Sequence, residues 1–369
     1  MAYFGEKNFF EDEELIKLQE RVFSGDLTLS WWDAKTEHVR CAPHDPRRGF
    51  TYDDCNVGSY GYTGLPEFVR KNYSMAARGS ELVPDLPDLG YAINRKSDVW
   101  SDNVAALYEE AKTRRWVPAL DIPWAELKRA PLADDLETAM SQLCTTLEEI
   151  ALVLMEVPSR WVFYINQEFL ELKSYLCAQM IDEARHVEVF RKRALAGGKG
   201  LKRASANAEQ ALKEILCADT YVECSLAANV MLNSLVLAVF RHVAAVTRSV
   251  VDQQICRLAM QDTAREIAYG VGHIRYHLTH QPHRQDFLHD YLDRSEHLLF
   301  GIAGSAELLE PLIVLSGGGV EPAATSAGAR RVRRLLAVVG DEYLGRLRAA
   351  GLERRERSRL VSMFASPAQ

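Results

Sequence analysis

Apolar side chains recur along most of this chain at alternating steps of three and four, the spacing that lines one face of an α-helix. From Ala133 the pattern is continuous: Leu136, Met140, Leu143, Leu147, Ile150, Leu154 and Val157 form one stripe, ended or kinked at Pro158. A second helix carries Phe169, Leu172, Leu176, Met180, Val187 and Phe190 and stops near the glycines of 196–200. A third, about 207–245, presents Val222, Leu226, Val230, Leu237 and Phe240. A fourth, about 249–280, presents Ile255, Ala259 and Tyr269 before Pro282. A further helix covers roughly 285–315. The run 316–329, SGGGVEPAATSAGA, reads as a flexible linker, and 330–369 as basic terminal helices whose arginines coat a solvated face. Before Asn103 the phase is lost. Residues 1–100 combine Trp31, Trp32, a Pro, Gly and aromatic-rich stretch from Cys41 to Pro66, and the proline-rich run 82–90. They read as an arm wrapping the bundle, whose Trp and Tyr residues belong to the core more readily than to a substrate entrance. The expectation is an all-α chain: arm 1–100, helical bundle 101–315, linker 316–329 and C-terminal helices 330–369.

Composition sharpens the picture by exclusion. With 47% hydrophobic and 26% charged residues the chain carries enough apolar surface for a core and is far from a disordered composition. A net charge of -7 and a pI near 5.9 leave no basic field to hold a polyanion, so nucleic acid is not an expected ligand. The seven cysteines are odd in number and form no C-x-x-C pair, which fits a reducing, cytoplasmic compartment. The N-terminal residues lack a basic segment followed by an apolar run, and no stretch of eighteen apolar residues occurs. Neither an export signal nor a membrane span is expected.

The polar residues that interrupt these stripes carry the candidate chemistry. Glu183 and His186 lie three residues apart on the stripe of Met180 and Val187, which places an ionisable pair in the core. A lone buried carboxylate is costly, so it is paired, protonated or bound to metal. The chain then repeats itself: 178–190 matches 258–270 at an offset of eighty residues, sharing Met180 with Met260, Asp182 with Asp262, Ala184 with Ala264 and Arg185 with Arg265. Two such hairpins related by a pseudo-twofold axis make a four-helix bundle whose facing polar positions converge. Glu266 shares a face with Ala259, Asp262 and His273 and is expected to point inward. His273, His277, His280 and His283 run toward a helix end and read as solvated; Glu223 is off its stripe and reads as structural.

The segment Asp182-Glu183-Ala184-Arg185-His186, with Val187-Glu188-Val189-Phe190 after it, resembles the first metal-binding motif of ferritin-like diiron oxygenases, nearest to the p-aminobenzoate N-oxygenase type. The resemblance covers about 103–280 and implies a ferritin-like four-helix bundle. It also implies an iron-dependent oxygenase or oxidase acting with dioxygen on a small amine or aromatic substrate in a biosynthetic reaction. An electron-donor protein and a homodimer belong to the same expectation. Such families supply two Glu-x-x-His motifs and one further carboxylate about thirty residues before each. This chain departs from that pattern. Its second motif reads Thr263-Ala264-Arg265-Glu266, and the positions thirty residues earlier are Asn233 and Val153. Glu183 and His186 match outright. Glu266 offers a carboxylate where the family has imidazole. Glu149 and Glu156, one turn either side of Val153, are the substitutes on the first helix, with Glu149 preferred. One imidazole and several oxygens suit iron or manganese, as one or two ions. The same residues also suit a metal-free acid/base pair in a cyclase, lyase or isomerase, or a non-catalytic subunit that steadies an active homologue.

Overall fold

The computed structural model describes residues 8–34, 42–56, 64–71, 75, 76, 78–81 and 89–364. Cys41 and most of the proline-rich run 82–90 lie outside them. The chain divides into two units, Met1–Lys96 with Phe163–Leu170, and Ser97–Val162 with Glu171–Gln369. In the first, helix α1 (Glu13–Phe23) is capped by Asp12, whose carboxylate accepts from the backbone N–H groups of Glu14 and Leu15, and it buries no residue. Isolated bridges join Phe68 to Arg95 and Ile93 to Ile165. Trp31 and Trp32 are 66% and 67% exposed, so these two aromatics are not the core residues the sequence suggested.

The second unit is helical throughout its ordered elements: α2 (Val104–Thr113), α3 (Asp134–Val162), α4 (Leu170–Ala196), α5 (Ala206–Leu216), α6 (Tyr221–Val246), α7 (Val250–His280), α8 (Gln285–Ala303), α9 (Ala306–Gly317), α10 (Pro322–Ala349) and α11 (Leu360–Phe364). Asp134, Asp135 and Glu137 occupy the first turn of α3, where the helix dipole favours negative charge, and the helix continues through Pro158. The predicted third helix is two helices. Thr220 and Glu223 form a capping box that starts α6 afresh after residues 217–220. Within α6 the segment Leu226–Leu232 winds as a π-helix, and every residue of it is buried. By length and composition α6 is apolar enough to cross a membrane, with mean hydropathy 1.6, but 94% of that window is buried within the protein, as in a core helix.

The expected linker 316–329 is mostly helix. Only a short turn containing Gly318 and Gly319 separates α9 from α10, and Pro322 pre-sets the first turn of α10. The small residues serve close packing rather than mobility. A Cβ at Gly317 would lie 2.1 Å from the carbonyl oxygen of Ala324, and one at Gly328 would lie 2.0 Å from that of Ile313. Gly328→Ala should therefore destabilise the fold by about 1–3 kcal/mol through enforced separation of the two helices, read as a lower urea midpoint at unchanged slope. The terminal arginines are likewise not all solvated. Arg354 is 1% exposed and donates to Glu296, at 3.1 Å, and to Asp293, at 2.8 Å.

Helix α4 is tied to its neighbours by polar side chains. Fully buried Arg193 donates to Glu137 of α3 at 2.5 and 2.9 Å and to Asp252 of α7 through both Nε and Nη2. Gln179 donates to Asn229 of α6 at 2.9 Å. The buried face of α4 thus mixes Leu172, Leu176 and Phe190 with the polar Gln179, Asp182, Glu183, His186 and Arg193, while Met180 and Val187 are half-buried.

Candidate metal centre

The two repeated segments meet where α4 faces α7. Asp182 accepts from Arg185 of its own helix and from Arg265 across the interface at 2.8 Å; Asp262 accepts from Arg265 of its own helix and from Arg185 across it at 3.1 Å. The pairing is symmetric, two carboxylates against two guanidiniums, and its charges cancel. Asp262 also accepts from the indole N–H of Trp116 at 2.7 Å. Burial alone would raise its carboxyl, but His186 and the two arginines hold it well below the usual carboxylate range. Aspartate and arginine are the residues the repeat shares, and this cross-brace is the physical reason. Sequence reasoning used them only as markers of the repeat. Trp116 left no signal beyond its place near a helix end.

One turn along lie Glu183, His186 and Glu266, exposed by 1%, 2% and 0%. His186 turns Nε2 toward Asp262 Oδ2 at 3.4 Å and Nδ1 toward Glu183 Oε2 at 3.1 Å. The charge of Glu183 acts on Glu266, and Asn233 donates to Glu266 Oε2 at 2.8 Å. Burial would lower the imidazole, but Glu183 and Asp262 outweigh it and raise His186 to about 10. Burial, then the Glu183 charge, pushes the Glu266 carboxyl well above its ordinary range. Oε1 of Glu183, Oε1 of Glu266 and Oδ1 of Asn233 are buried with no hydrogen-bond partner in the protein. Both guanidiniums of the cross-brace are committed to aspartates. Two carboxyls and an imidazole are therefore left to be balanced by protons or by a cation.

The remaining candidates fall outside this cluster. Glu149 is half-buried; burial first, then the charges of Glu209, Glu148 and Glu307, raise its carboxyl to about 7, which places it beside α5 and α9. Glu156 is exposed. The buried face of α3 carries Leu147, Ile150, Ala151 and Leu154, and its buried Glu148 pairs with Arg191. The helix therefore turns its apolar stripe inward and its glutamates sideways, as the periodicity dictates. Thr263 is fully buried, and Glu223 is consumed by its capping box. His280 and His283 are exposed as expected, but His273 and His277 are buried at 0% and 1% because α7 continues beneath α6 and the segment starting at Ser97. Burial and the nearby His277 push His273 down to about 3, so it is a neutral ring.

Glu149 gives a pH test with a definite sign. Its proton is favoured by folding, so its stabilising contribution is complete below the unfolded value of 4.5 and is lost as pH rises through about 7. Glu149→Gln should raise the melting temperature at pH 8 and leave it unchanged at pH 4, measured by calorimetry.

A two-ion centre does not fit these residues, since Thr263, Asn233 and the apolar face of α3 stand where three carboxylates would be needed. A single ion fits in charge and donor type. Among the described residues no group of three or more His, Cys, Asp or Glu side chains is placed to hold a metal ion. His186 Nδ1 is instead turned to Glu183 Oε2 at 3.1 Å, and Glu266 Oε2 accepts from Asn233.

No family model matches the sequence, and no curated protein matches it. Solved structures do. An R2-like ligand-binding oxidase variant with an aerobically reconstituted Mn/Fe cofactor matches at 18% identity with a TM-score of 0.55, over 68% of this chain and 94% of its own. A variant with an Fe/Fe cofactor matches at 19% identity and a TM-score of 0.55, over 68% of this chain and 94% of its own. The form without metal matches at 20% and 0.51, over 66% of this chain and 95% of its own. Together with the helix order and the two facing motifs, this establishes that the chain has the ferritin-like helical-bundle fold of the R2-like ligand-binding oxidases.

Proposed function

We infer that this chain is a metal-dependent oxidase or oxygenase that holds one iron or manganese ion on Glu183, His186 and Glu266 and oxidises a small amine or aromatic molecule with dioxygen. The observation that carries the reading is two buried carboxyls, Glu183 and Glu266, beside a buried imidazole, with every nearby guanidinium committed elsewhere. One imidazole with carboxylate oxygens suits iron or manganese. Such an ion supplies one-electron redox chemistry and open positions for dioxygen.

The chain's own residues prepare that site. Asp262 lies 3.4 Å from His186 Nε2 and favours a proton there electrostatically, which leaves Nδ1 as donor atom on the side of Glu183. Asn233 orients Glu266 through Oε2. Trp116, Phe190 and Phe240 pack within 6.3 Å of the His186 ring and keep bulk water from it. Electrons come from an external donor protein or from the substrate. The R2-like oxidases of the same fold carry Mn/Fe or Fe/Fe cofactors, which supports a redox metal here.

Anaerobic loading with Fe(II), followed by desalting, should leave one iron per chain, and admitting dioxygen should lead to its consumption. Glu183→Ala and His186→Ala should lose the iron while helix content by circular dichroism stays the same. Two irons per chain, or iron retained in both variants, would refute the assignment. A second reading has one observation in its favour: the raised His186 and Glu266 form a ready acid/base set without metal. Turnover of a candidate substrate by chelator-treated protein would establish that reading, a cyclase, lyase or isomerase, instead.

A further inference from the structure

Between the C-terminal half of α6 and the middle of α10 runs an open groove of about 360 Å³. Its floor is apolar, formed by Ala238, Ala245, Leu335 and Val338, the last of them 44% exposed. Its rim is cationic. Arg331 and Arg334 share one face of α10 with Leu335 and Val338, at helical steps of three, four and seven from Arg331. Arg241, on the α6 wall, is neutralised by Glu342. The α10 pair has no such partner: Arg331 donates to the Ser316 carbonyl and Arg334 to the Arg330 carbonyl at 3.4 Å, and among the described residues neither meets a carboxylate. In a chain of net charge -7, unpaired guanidiniums over an apolar floor suit a partner that is acidic and apolar at once.

Helix α1 has that chemistry. Leu15, Leu18 and Val22 lie at i, i+3 and i+7, and Ile16 and Phe23 widen the same face. None of them is buried, and Phe23 is 88% exposed. Glu14 stands one turn before Leu18 and Glu20 one turn after Ile16, at the two borders of that face. Lys17 is taken up by Glu13 at 3.2 Å, and Arg21 lies 3.8 Å from Asp26. Glu14 and Glu20 meet no cation among the described residues. Their charge also repels an anionic lipid surface, which argues against a membrane as the cover for this face.

An amphipathic helix laid in a groove, apolar side down and acids against arginines, covers both surfaces. At about 1.5 Å per residue α1 is only roughly 16 Å long, and one such contact is small against the about 1,200–2,000 Å² of a stable association. Exchange about a twofold axis makes the contact twice. We propose that the chain associates by reciprocal exchange of α1, the helix of each copy lying in the α6–α10 groove of a second copy. Leu15, Leu18 and Val22 then cover Leu335 and Val338, while Glu14 and Glu20 meet Arg331 and Arg334. The contact is independent of the centre at Glu183, His186 and Glu266 and holds with or without metal.

Sedimentation velocity of the full-length protein over a concentration series tests this. Wild type should be dimeric and should dissociate more readily as salt rises, because the pairing charges are exposed. Two charge-reversed proteins are compared with it, one carrying Arg331→Glu and Arg334→Glu, the other Glu14→Arg and Glu20→Arg. All four positions are exposed, so circular dichroism should be unchanged. Each variant alone should be monomeric, its dissociation constant raised by about 100-fold, because like charges meet at both contacts. Mixed in equal amounts the two should form a heterodimer, since each groove then faces a helix of opposite charge. Wild type that stays monomeric, a dimer that both variants leave intact, or a mixture that stays monomeric would each overturn the proposal. Monomeric wild type that co-sediments with phosphatidylserine vesicles would put a membrane on α1 instead.

Discussion

Loading chelator-treated protein with Fe(II) at pH 7 should release about two protons per ion bound. The number follows from charge. The Asp182, Asp262, Arg185 and Arg265 cross-brace is neutral by itself. Beside it, without metal, His186 holds a proton up to about 10, and Glu266 keeps its own because Glu183 faces it in a buried setting. A divalent cation supplies the charge those two protons carried, so binding displaces both. Apparent affinity should then rise by about 100-fold per pH unit around neutrality, the slope of a two-proton exchange. A pH indicator in weakly buffered solution reads the release, and titrations at several pH values read the slope. Release of no protons would mean that metal binds elsewhere. The same imidazole stabilises the metal-free fold with the opposite dependence. Its folded value is raised, so its contribution is complete below the unfolded value of 6.5 and is lost as pH rises through about 10.

Arg265→Met should destabilise the protein by about 3–5 kcal/mol, the cost of leaving a buried charge without its partner. Arg265 is 2% exposed and is shared between Asp182 and Asp262, so its loss leaves two neighbouring buried carboxylates with Arg185 as their one guanidinium, beside His186 and Trp116. The orphaned partner predicts a compensating change: Asp182→Asn added to Arg265→Met should recover part of the loss, because it removes the excess negative charge. Urea unfolding of wild type, both single variants and the double variant gives the coupling directly. A loss below about 1 kcal/mol would mean that apolar packing, not the cross-brace, holds α4 to α7.

The strongest signals in the sequence were periodic ones. The stripe from Leu136 to Val157 gave α3, and the eighty-residue repeat put Asp182 and Arg185 opposite Asp262 and Arg265. Glu183, His186 and Glu266 were legible because each interrupts or shares a buried face, and the structure does bring these three together. Glu149 was placed by its distance from Glu183 along the chain, and the structure sets it beside α5 and α9 instead. The linker at 316–329 failed for a different reason. Glycine and alanine signal flexibility in isolation, but against a neighbouring helix they permit the close approach seen at Gly317 and Gly328.

The sequence by itself determined the helical fold, the paired motifs and the three ionisable residues at their centre, because helical phase is a local property set by neighbours three and four residues apart. Only the tertiary structure decided how charge is shared among them. It committed both arginines to the aspartates, turned Asn233 onto Glu266, and buried His273 and His277. Those outcomes depend on which groups meet across helices and on how much water is excluded when they do, and neither is written in spacing along the chain.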